Sequence, residues 1–371
     1  MSRARQYLTQ LLSTADIRVD GRLPWDIQVL DERFWNRVLR DKSLGLGESY
    51  MQGWWECDSL DAFFHRLLSA GLDQDACRSL PALVGLAEAV LSNQQTRRHA
   101  RMLAKHHYDL GEDLFMAFLD PYHQYSCGYF RGADDLAEAQ RNKLELICRK
   151  LDLQPGDKLL DIGCGWGGLA RYAAKERGCS VTGVTVSTRQ AEYARAACQG
   201  LDVDILCLDY RDMDGEYDKV VSVGMFEHVG RKNYRTFMDT VRSRLRDGGI
   251  FLLHTIGSTV SVHDLDAWLK KYIFITGMLP SLAQISLSAE GLFVIEDLHN
   301  LGPHYDRTLM AWHRRFRHAW PKLKGRYPET FRRMWEYYLL SCAGAFRARS
   351  NQLWQIVMTK PGTPQPAYRQ T

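Results

Sequence analysis

The stretch Leu159 to Gly168 (LLDIGCGWGG) limits what this chain can fold into more than any other. A short, mostly apolar run, the form of a strand buried in a parallel sheet, passes directly into a glycine-rich turn, and a helix begins near Leu169. Gly163, Gly165 and Gly167 let the backbone approach a ligand that side chains would hold off. The spacing also fits G-x-G-x-x-G through Gly163, Gly165 and Gly168, so the turn by itself admits a dinucleotide, S-adenosylmethionine (SAM) or a purely structural role.

The strands that follow narrow the choice. Ser180 to Ser187 (SVTGVTVS) ends without the acidic residue that a nicotinamide site places on the ribose about 20 residues on. It ends in Thr185, with Gln190 one helical turn later. The next strand, Asp204 to Leu208, finishes at Asp209, Tyr210 and Arg211, where a carboxylate and an aromatic ring suit an adenine amino group and face. These residues favour SAM, held by Asp161, Gly163, Gly165, Gly167, Thr185, Gln190, Asp209, Tyr210 and Arg211.

Strand and helix patterns alternate from Lys158 to about Ile256, the signature of a doubly wound, Rossmann-like α/β sheet. Lys219 to Val223 is a fourth strand, delivering Gly224 to Gly230 (GMFEHVG) to the edge where such sheets bind ligands. A fifth, Gly249 to His254, delivers His254, Thr255 and Ile256 to the same edge. From about 257 to 325 the pattern becomes helical and irregular, which reads as a lid, and Leu353 to Met358 reads as a returning strand.

Residues 1–104 read as a smaller, mainly helical domain, and 105–371 as the catalytic domain. An apolar stripe through Tyr7, Leu8, Leu11 and Leu12 opens the first helix, and Phe34, Trp35, Val38 and Leu39 mark another. Asp26 to Leu30 suggests a short strand. Ser43 to Trp55 reads as a glycine-punctuated loop passing into a helix, with Trp54 and Trp55 needing burial or a ligand.

With 371 residues the chain can bury a full core, and a net charge of +4 is far too small for a dedicated nucleic-acid binder. The basic residues are uneven: ten Lys or Arg against two Glu lie between Ala311 and Ser350, interleaved with Trp312, Phe316, Trp320, Trp335 and other aromatics. That mixture suits an anionic lipid surface, as do Arg97, Arg101 and Lys105 on one helix face. Amphipathic helices with solvated basic faces are the plainer reading of both. Nine cysteines without metal-ligand spacing read as reduced cytosolic thiols, with no metal site. No signal peptide follows Met1 and no run approaches 18 apolar residues, so any membrane contact is peripheral.

Taken together, Ser43 to Trp55, His107 to Leu110, Tyr125 to Cys127, Asp161 to Gly168, Gly224 to Gly230, Leu252 to Gly257 and Ala343 to Arg349 resemble the cyclopropane-fatty-acyl-phospholipid synthases and, more distantly, the mycolic acid cyclopropane synthases. The mycolic acid enzymes begin near the segment matching His106, so the N-terminal part favours phospholipid acyl chains as substrate. The resemblance implies transfer of a methylene from SAM across a cis double bond of a membrane phospholipid. The resulting carbocation would be deprotonated by a bound bicarbonate or carbonate ion. A related transfer leaving a methyl branch is the alternative within this chemistry.

By the same resemblance, Cys127, Glu227, His254, the Ile256 backbone and Tyr305 bind the anion, and Tyr125 and Ser126 join the SAM site. Aromatic faces from Tyr125, Phe226, Trp268, Tyr272 and Tyr305 are candidates to stabilise positive charge. Cys342 matches a family cysteine considered as a nucleophile, although nothing near it in sequence acidifies a thiol. The resemblance further implies a homodimer, cytoplasmic and peripheral on the inner face of the cytoplasmic membrane.

Overall fold

The computed structural model describes residues 2–72, 111–261 and 264–366, so Arg97, Arg101, Lys105 and the motif His107 to Leu110 lie outside the described residues. The chain forms two compact units, and neither is continuous in sequence. The first gathers Met1–Ser92, His263–Ile275 and Tyr305–Asn351; the second gathers Asn93–Val262, Thr276–His304 and Gln352–Thr371. The grouping therefore differs from a single boundary at 104/105, because the late helices cluster with the early ones.

In the first unit, α1 (Arg3–Ser13) starts where the Ser2 hydroxyl accepts the Arg5 amide. It buries Ala4, Leu8 and Leu12 at intervals of four, leaving Tyr7 outside. Helix α2 (Arg33–Met51) is two helical pieces joined by a kink at Lys42 (φ 54°, ψ −129°), the second covering most of the segment read as a loop. The expected short strand is β1 (Gln28–Val29), paired antiparallel with β2 (Trp55–Glu56). The tandem tryptophans need no ligand: Trp55 is fully buried and donates its indole N–H to Leu46 O and Ser49 Oγ, while Arg33 lies over the Trp54 ring.

Among the described residues, the other helices of this unit are α3 (Leu60–Ser69), α9 (Ala267–Tyr272), most of α11 (Gly302–Leu323) and α12 (Glu329–Arg347). Arg347 bridges Asp61 and Asp306, and Arg333 donates to Tyr50 O, Trp55 O and Glu56. The aromatic residues between Ala311 and Ser350 mostly face inward: Trp312, Phe316, Trp335, Tyr337 and Tyr338 are core. What remains exposed of the basic run includes Arg314, Lys322, Lys324 and Arg326.

The second unit is built on a seven-stranded sheet. Its strands are β3 (Lys158–Ile162), β4 (Ser180–Thr185), β5 (Val203–Cys207), β6 (Tyr217–Val223), β7 (Leu245–Ser258), β8 (Val294–Asn300) and β9 (Asn351–Thr359), in the order β5-β4-β3-β6-β7-β9-β8. The first five pair in parallel, and β8 runs antiparallel to β9. Helices α6 (Gly168–Arg177), α7 (Thr188–Ala197) and α8 (Tyr234–Arg244) are the crossovers, α4 (Glu112–Phe118) and α5 (Leu136–Lys150) precede the sheet in sequence, and α10 (Leu282–Ala289) lies between β7 and β8. This is the doubly wound α/β sheet read from the alternation.

One apolar cluster, with Phe226, Phe237, Phe251 and Trp354, covers one face, and another, with Leu144, Ile147, Val181, Leu252 and Val357, covers the other. The 257–325 region is not wholly helical. Val294–Asn300 is an edge strand with a bulge near Asp297, and its exposed Val294, Ile295 and Leu298 hide the alternation that would have marked it. Among the described residues no helix is long and apolar enough to cross a membrane.

Close helix packing in the first unit gives a direct test. A Cβ on Gly344 of α12 would lie 2.6 Å from Phe64 Cβ and 2.7 Å from Asp61 O on α3, whereas one on Gly325 would meet nothing within 4 Å. Gly344→Val is expected to cost about 1–3 kcal/mol and lower the thermal midpoint; Gly325→Val, measured by the same calorimetric scan, stays within about 0.5 kcal/mol of the parent.

Candidate active site

The carboxyl ends of β3, β4, β6 and β7 converge on one edge of the second unit's sheet, each bringing residues picked out by sequence. At the end of β3, Gly163, Gly165 and Gly167 all take positive φ (86°, 55° and 78°). Their side-chain positions differ. A Cβ on Gly163 would sit 2.7 Å from Met225 Cβ and one on Gly167 2.8 Å from Ala194 Cβ, but one on Gly165 would meet only Gln190 Nε2 at 3.9 Å. Two glycines therefore serve packing, and Gly165 faces the open side, as a cradle for a ligand requires. Gly163 N and Cys164 N both donate to Val184 O, tying the turn to β4.

The end of β4 supplies Thr185, whose hydroxyl donates to Gln190 Oε1 at 3.0 Å; both side chains are buried. Leu208 N donates to Thr185 O, which sets Asp209 beside this pair. The Asp209 carboxylate is held by Arg211, through the backbone amide (3.0 Å) and two guanidinium nitrogens (2.7 Å each). Tyr210 lies edge-on to Phe237. The structure thus brings Thr185, Gln190 and Asp209 together, with Arg211 as the counterion of Asp209.

Asp161, on β3, is buried with Oδ2 unpartnered, and burial pushes its carboxyl up to about 7 despite the opposing charge of Lys143. Lys143 is itself fully buried on α5, which lowers its ammonium to about 8. It donates to Gln124 Oε1 and to Ser126 Oγ (3.0 Å), while Gln140, one turn earlier, donates to Ser126 O at 2.7 Å. The segment Tyr125, Ser126 and Cys127 is anchored from beneath by these two. Cys127 is fully buried, its thiol donating to Gly128 O at 3.2 Å, and Tyr125 packs edge-on to Phe115. Gln124, Gln140 and Lys143 escape a sequence reading; the signal is two polar residues three apart on the apolar face of α5, among Leu136, Leu144 and Ile147.

Glu227 follows β6 in a 3₁₀ turn (Phe226–His228), buried, with Oε1 accepting the Ile256 amide at 2.6 Å and Oε2 unpartnered. Burial pushes its carboxyl up to about 7 against the pull of that amide. The Ile256 N–H, assigned to the anion by resemblance, is therefore taken up by Glu227 and orients it. His254 pairs with Val223 in the β6–β7 register. It is buried, with Nε2 unpartnered and Nδ1 3.2 Å from Gln355 Nε2. Burial, and to a lesser degree the charges of Lys143 and Lys150, hold its pKa well below the usual histidine value. Among the described residues, Glu227 Oε2 and His254 Nε2, like Asp161 Oδ2, are buried polar atoms without partners at the carboxyl ends of neighbouring strands.

The remaining expected residues are placed as follows. Phe226 is core, stacked on Tyr234 at 4.4 Å, which removes it as a free aromatic face. In the first unit Trp268 is buried against Tyr337, and the Tyr272 hydroxyl donates to Glu48. Tyr305 also belongs to that unit, its ring tilted on Phe346 at 4.6 Å. Cys342 lies on α12, where burial pushes its thiol up to about 12; a thiol held protonated in this way is a poor nucleophile, against its assignment to catalysis.

A carboxyl whose folded pKa is raised binds its proton more tightly when folded, so stability falls as pH rises from the unfolded value near 4.5 through about 7. Glu227→Gln removes this cost, roughly 3 kcal/mol at full ionisation. The variant is expected to melt higher than the parent at pH 8 and level with it at pH 4.5, as read by thermal unfolding across that range.

Comparison with known proteins gives the chain its relatives. Residues 94–356 match the family model for mycolic acid cyclopropane synthetase. The cyclopropane-fatty-acyl-phospholipid synthase of Escherichia coli (strain K12) is 53% identical over 95% of this chain and 92% of its own length. The tuberculostearic acid methyltransferase of Mycobacterium tuberculosis is 35% identical, over 88% of this chain and 81% of its own. A mycolic acid cyclopropane synthase solved with S-adenosylhomocysteine superimposes with a TM-score of 0.66 at 31% identity, over 70% of this chain and 98% of that one. The chain therefore belongs to the mycolic acid cyclopropane synthetase family, SAM-dependent transferases with the class I methyltransferase fold.

Proposed function

We propose that this chain converts a cis double bond in a membrane phospholipid acyl chain into a cyclopropane, using SAM as methyl donor and bicarbonate as the base. The observation that carries the reading is the pair of buried, unpartnered atoms Glu227 Oε2 and His254 Nε2 at neighbouring strand ends, on the sheet edge that also carries the glycine turn. SAM, when bound, supplies an electrophilic methyl group to the alkene, and bicarbonate, when bound, accepts the proton whose loss lets the ring close.

The chain's own residues do the rest. Gly165 leaves room for the cofactor, Thr185, Gln190 and Asp209 offer polar contacts to its nucleoside, and Ser126, fixed by Gln140 and Lys143, joins Tyr125 as a further contact. His254 donates one hydrogen bond to the anion. Glu227, oriented by the Ile256 amide, meets the anion's hydroxyl and raises the basicity of its remaining oxygens. Burial of both groups excludes water, which would otherwise capture the carbocation. The roles of Cys127 and Tyr305 as further donors rest on the sequence resemblance.

The close similarity to the Escherichia coli synthase supports a phospholipid acyl chain as substrate and a ring as product, ahead of a methyl branch. Homodimerisation and a peripheral position on the inner face of the cytoplasmic membrane belong to the same reading. Exposed Arg314, Lys322, Lys324 and Arg326 are suited to an anionic bilayer.

Incubation of the protein with SAM and monounsaturated phospholipid vesicles, with and without bicarbonate, is expected to add one methylene to the acyl chain with loss of the alkene, and faster with the anion. Retention of an alkene beside the added carbon would favour the methyl-branching alternative. Glu227→Gln should slow turnover by about 100-fold or more while its SAM affinity by calorimetry stays within about twofold of the parent; unchanged turnover would remove the cradle. Replacing Arg314, Lys322, Lys324 and Arg326 by Gln should weaken vesicle sedimentation on anionic lipid, by up to about 1 kcal/mol per charge, and flatten its salt dependence.

A further inference from the structure

Between Leu353 and Met358, strand β9 is apolar except for one residue. Trp354, Ile356 and Met358 project into one core cluster and Val357 into the other. Gln355 shares the face of Val357, is 0% exposed, and pairs with His299 of β8 in the sheet register. A leucine there would pack without leaving any polar group to satisfy. The amide instead places its nitrogen 3.2 Å from His254 Nδ1, and its own Oε1 is buried without a partner. A glutamine held this way, incompletely satisfied in the middle of a buried strand, has a purpose other than packing.

His254 stands on the same sheet face as Ile250 and Leu252, at positions two apart on β7. It is neutral, since burial and the nearby cations Lys143 and Lys150 all disfavour a second proton. A neutral imidazole has one N–H and one lone pair, and the partner of one nitrogen decides which the other presents. When the Gln355 amide donates to Nδ1, that nitrogen is the acceptor and the proton resides on Nε2. The opposite amide orientation would leave a lone pair on Nε2, which repels an anion.

We infer that Gln355 is a positioning residue that fixes His254 as the Nε2–H tautomer, so that its unpartnered nitrogen is a hydrogen-bond donor. The consequence for an anionic base rests on the function proposed above; the tautomer itself does not. Gln355 acts only through His254.

The test uses the full-length protein labelled with ¹⁵N-histidine, the His254 signals being assigned by their loss in His254→Asn. A long-range ¹H–¹⁵N spectrum is expected to show Nδ1 as the unprotonated nitrogen and Nε2 as the protonated one. The reverse pattern overturns the inference. In Gln355→Leu the His254 pattern is expected to become a mixture of tautomers, and the bicarbonate concentration for half-maximal rate to rise about tenfold, with SAM affinity within twofold of the parent. Gln355→Met is the second variant should Leu not fold, and the spectrum of the unmodified protein decides the tautomer without either. Unaltered nitrogen shifts and bicarbonate response in a folded variant also overturn the inference. If the unmodified protein ignores bicarbonate, the anion reading fails, while the nitrogen shifts still decide the tautomer.

Discussion

Parallel pairing of β3 with β4 and β6, and of β6 with β7, fixes where four strand ends fall relative to one another. Each pairing is a ladder of backbone hydrogen bonds, and where the ladders stop, the chain must turn and present whatever follows. The glycine turn, Thr185, Glu227 and His254 all come just at or after such a stop. Side chains distant in sequence are thereby held on one edge by backbone geometry, before any of them contacts another. The ties between them, such as Gly224 N to His254 O and Ile256 N to Glu227, then need only adjust orientation.

That arrangement has an energetic cost written into the ionisable groups. Asp161 and Glu227 are buried carboxyls whose protons are held to about pH 7, Lys143 is a buried ammonium loosened to about 8, and His254 is kept neutral. A core chosen for stability alone would contain none of them. Their desolvation persists because strand ends and the inner face of α5 leave no route to water. A low-dielectric setting of this kind strengthens each polar contact with a ligand in proportion as it penalises the empty charge.

Much of this edge was legible in the sequence, for a physical reason. The strands are short apolar runs ending in glycine or in polar residues, so Glu227, His254, Thr185 and Asp209 announce themselves by following such runs. Lys143, Gln140 and Gln355 do not, because each is a polar residue inside an element whose pattern is already explained by core packing, and only the fold shows what it faces. The Ile256 amide illustrates a different limit: a backbone donor has no sequence signature, and its use by Glu227 emerges from the register. In α2, Gly45 and Gly47 imitate a loop, and β8, as an exposed edge strand, carries no clean alternation. Inward-turned aromatics on α11 and α12 show that a basic, aromatic-rich stretch is first a description of an amphipathic helix.

The discontinuity of the first unit bears on how the chain is made. Arg333 binds the carbonyls of Tyr50 and Trp55, residues 283 and 278 positions earlier, and Arg347 binds Asp61 across 286. At typical synthesis rates those early helices wait on the order of tens of seconds for their partners. In that interval Phe63, Phe64 and Trp55, all buried in the finished unit, have no α12 to cover them. Strands β3 to β7 are translated before α12 can close the first unit and β9 only after it, so through that interval the amino-terminal helices depend on protection from aggregation while both units await the end of the chain.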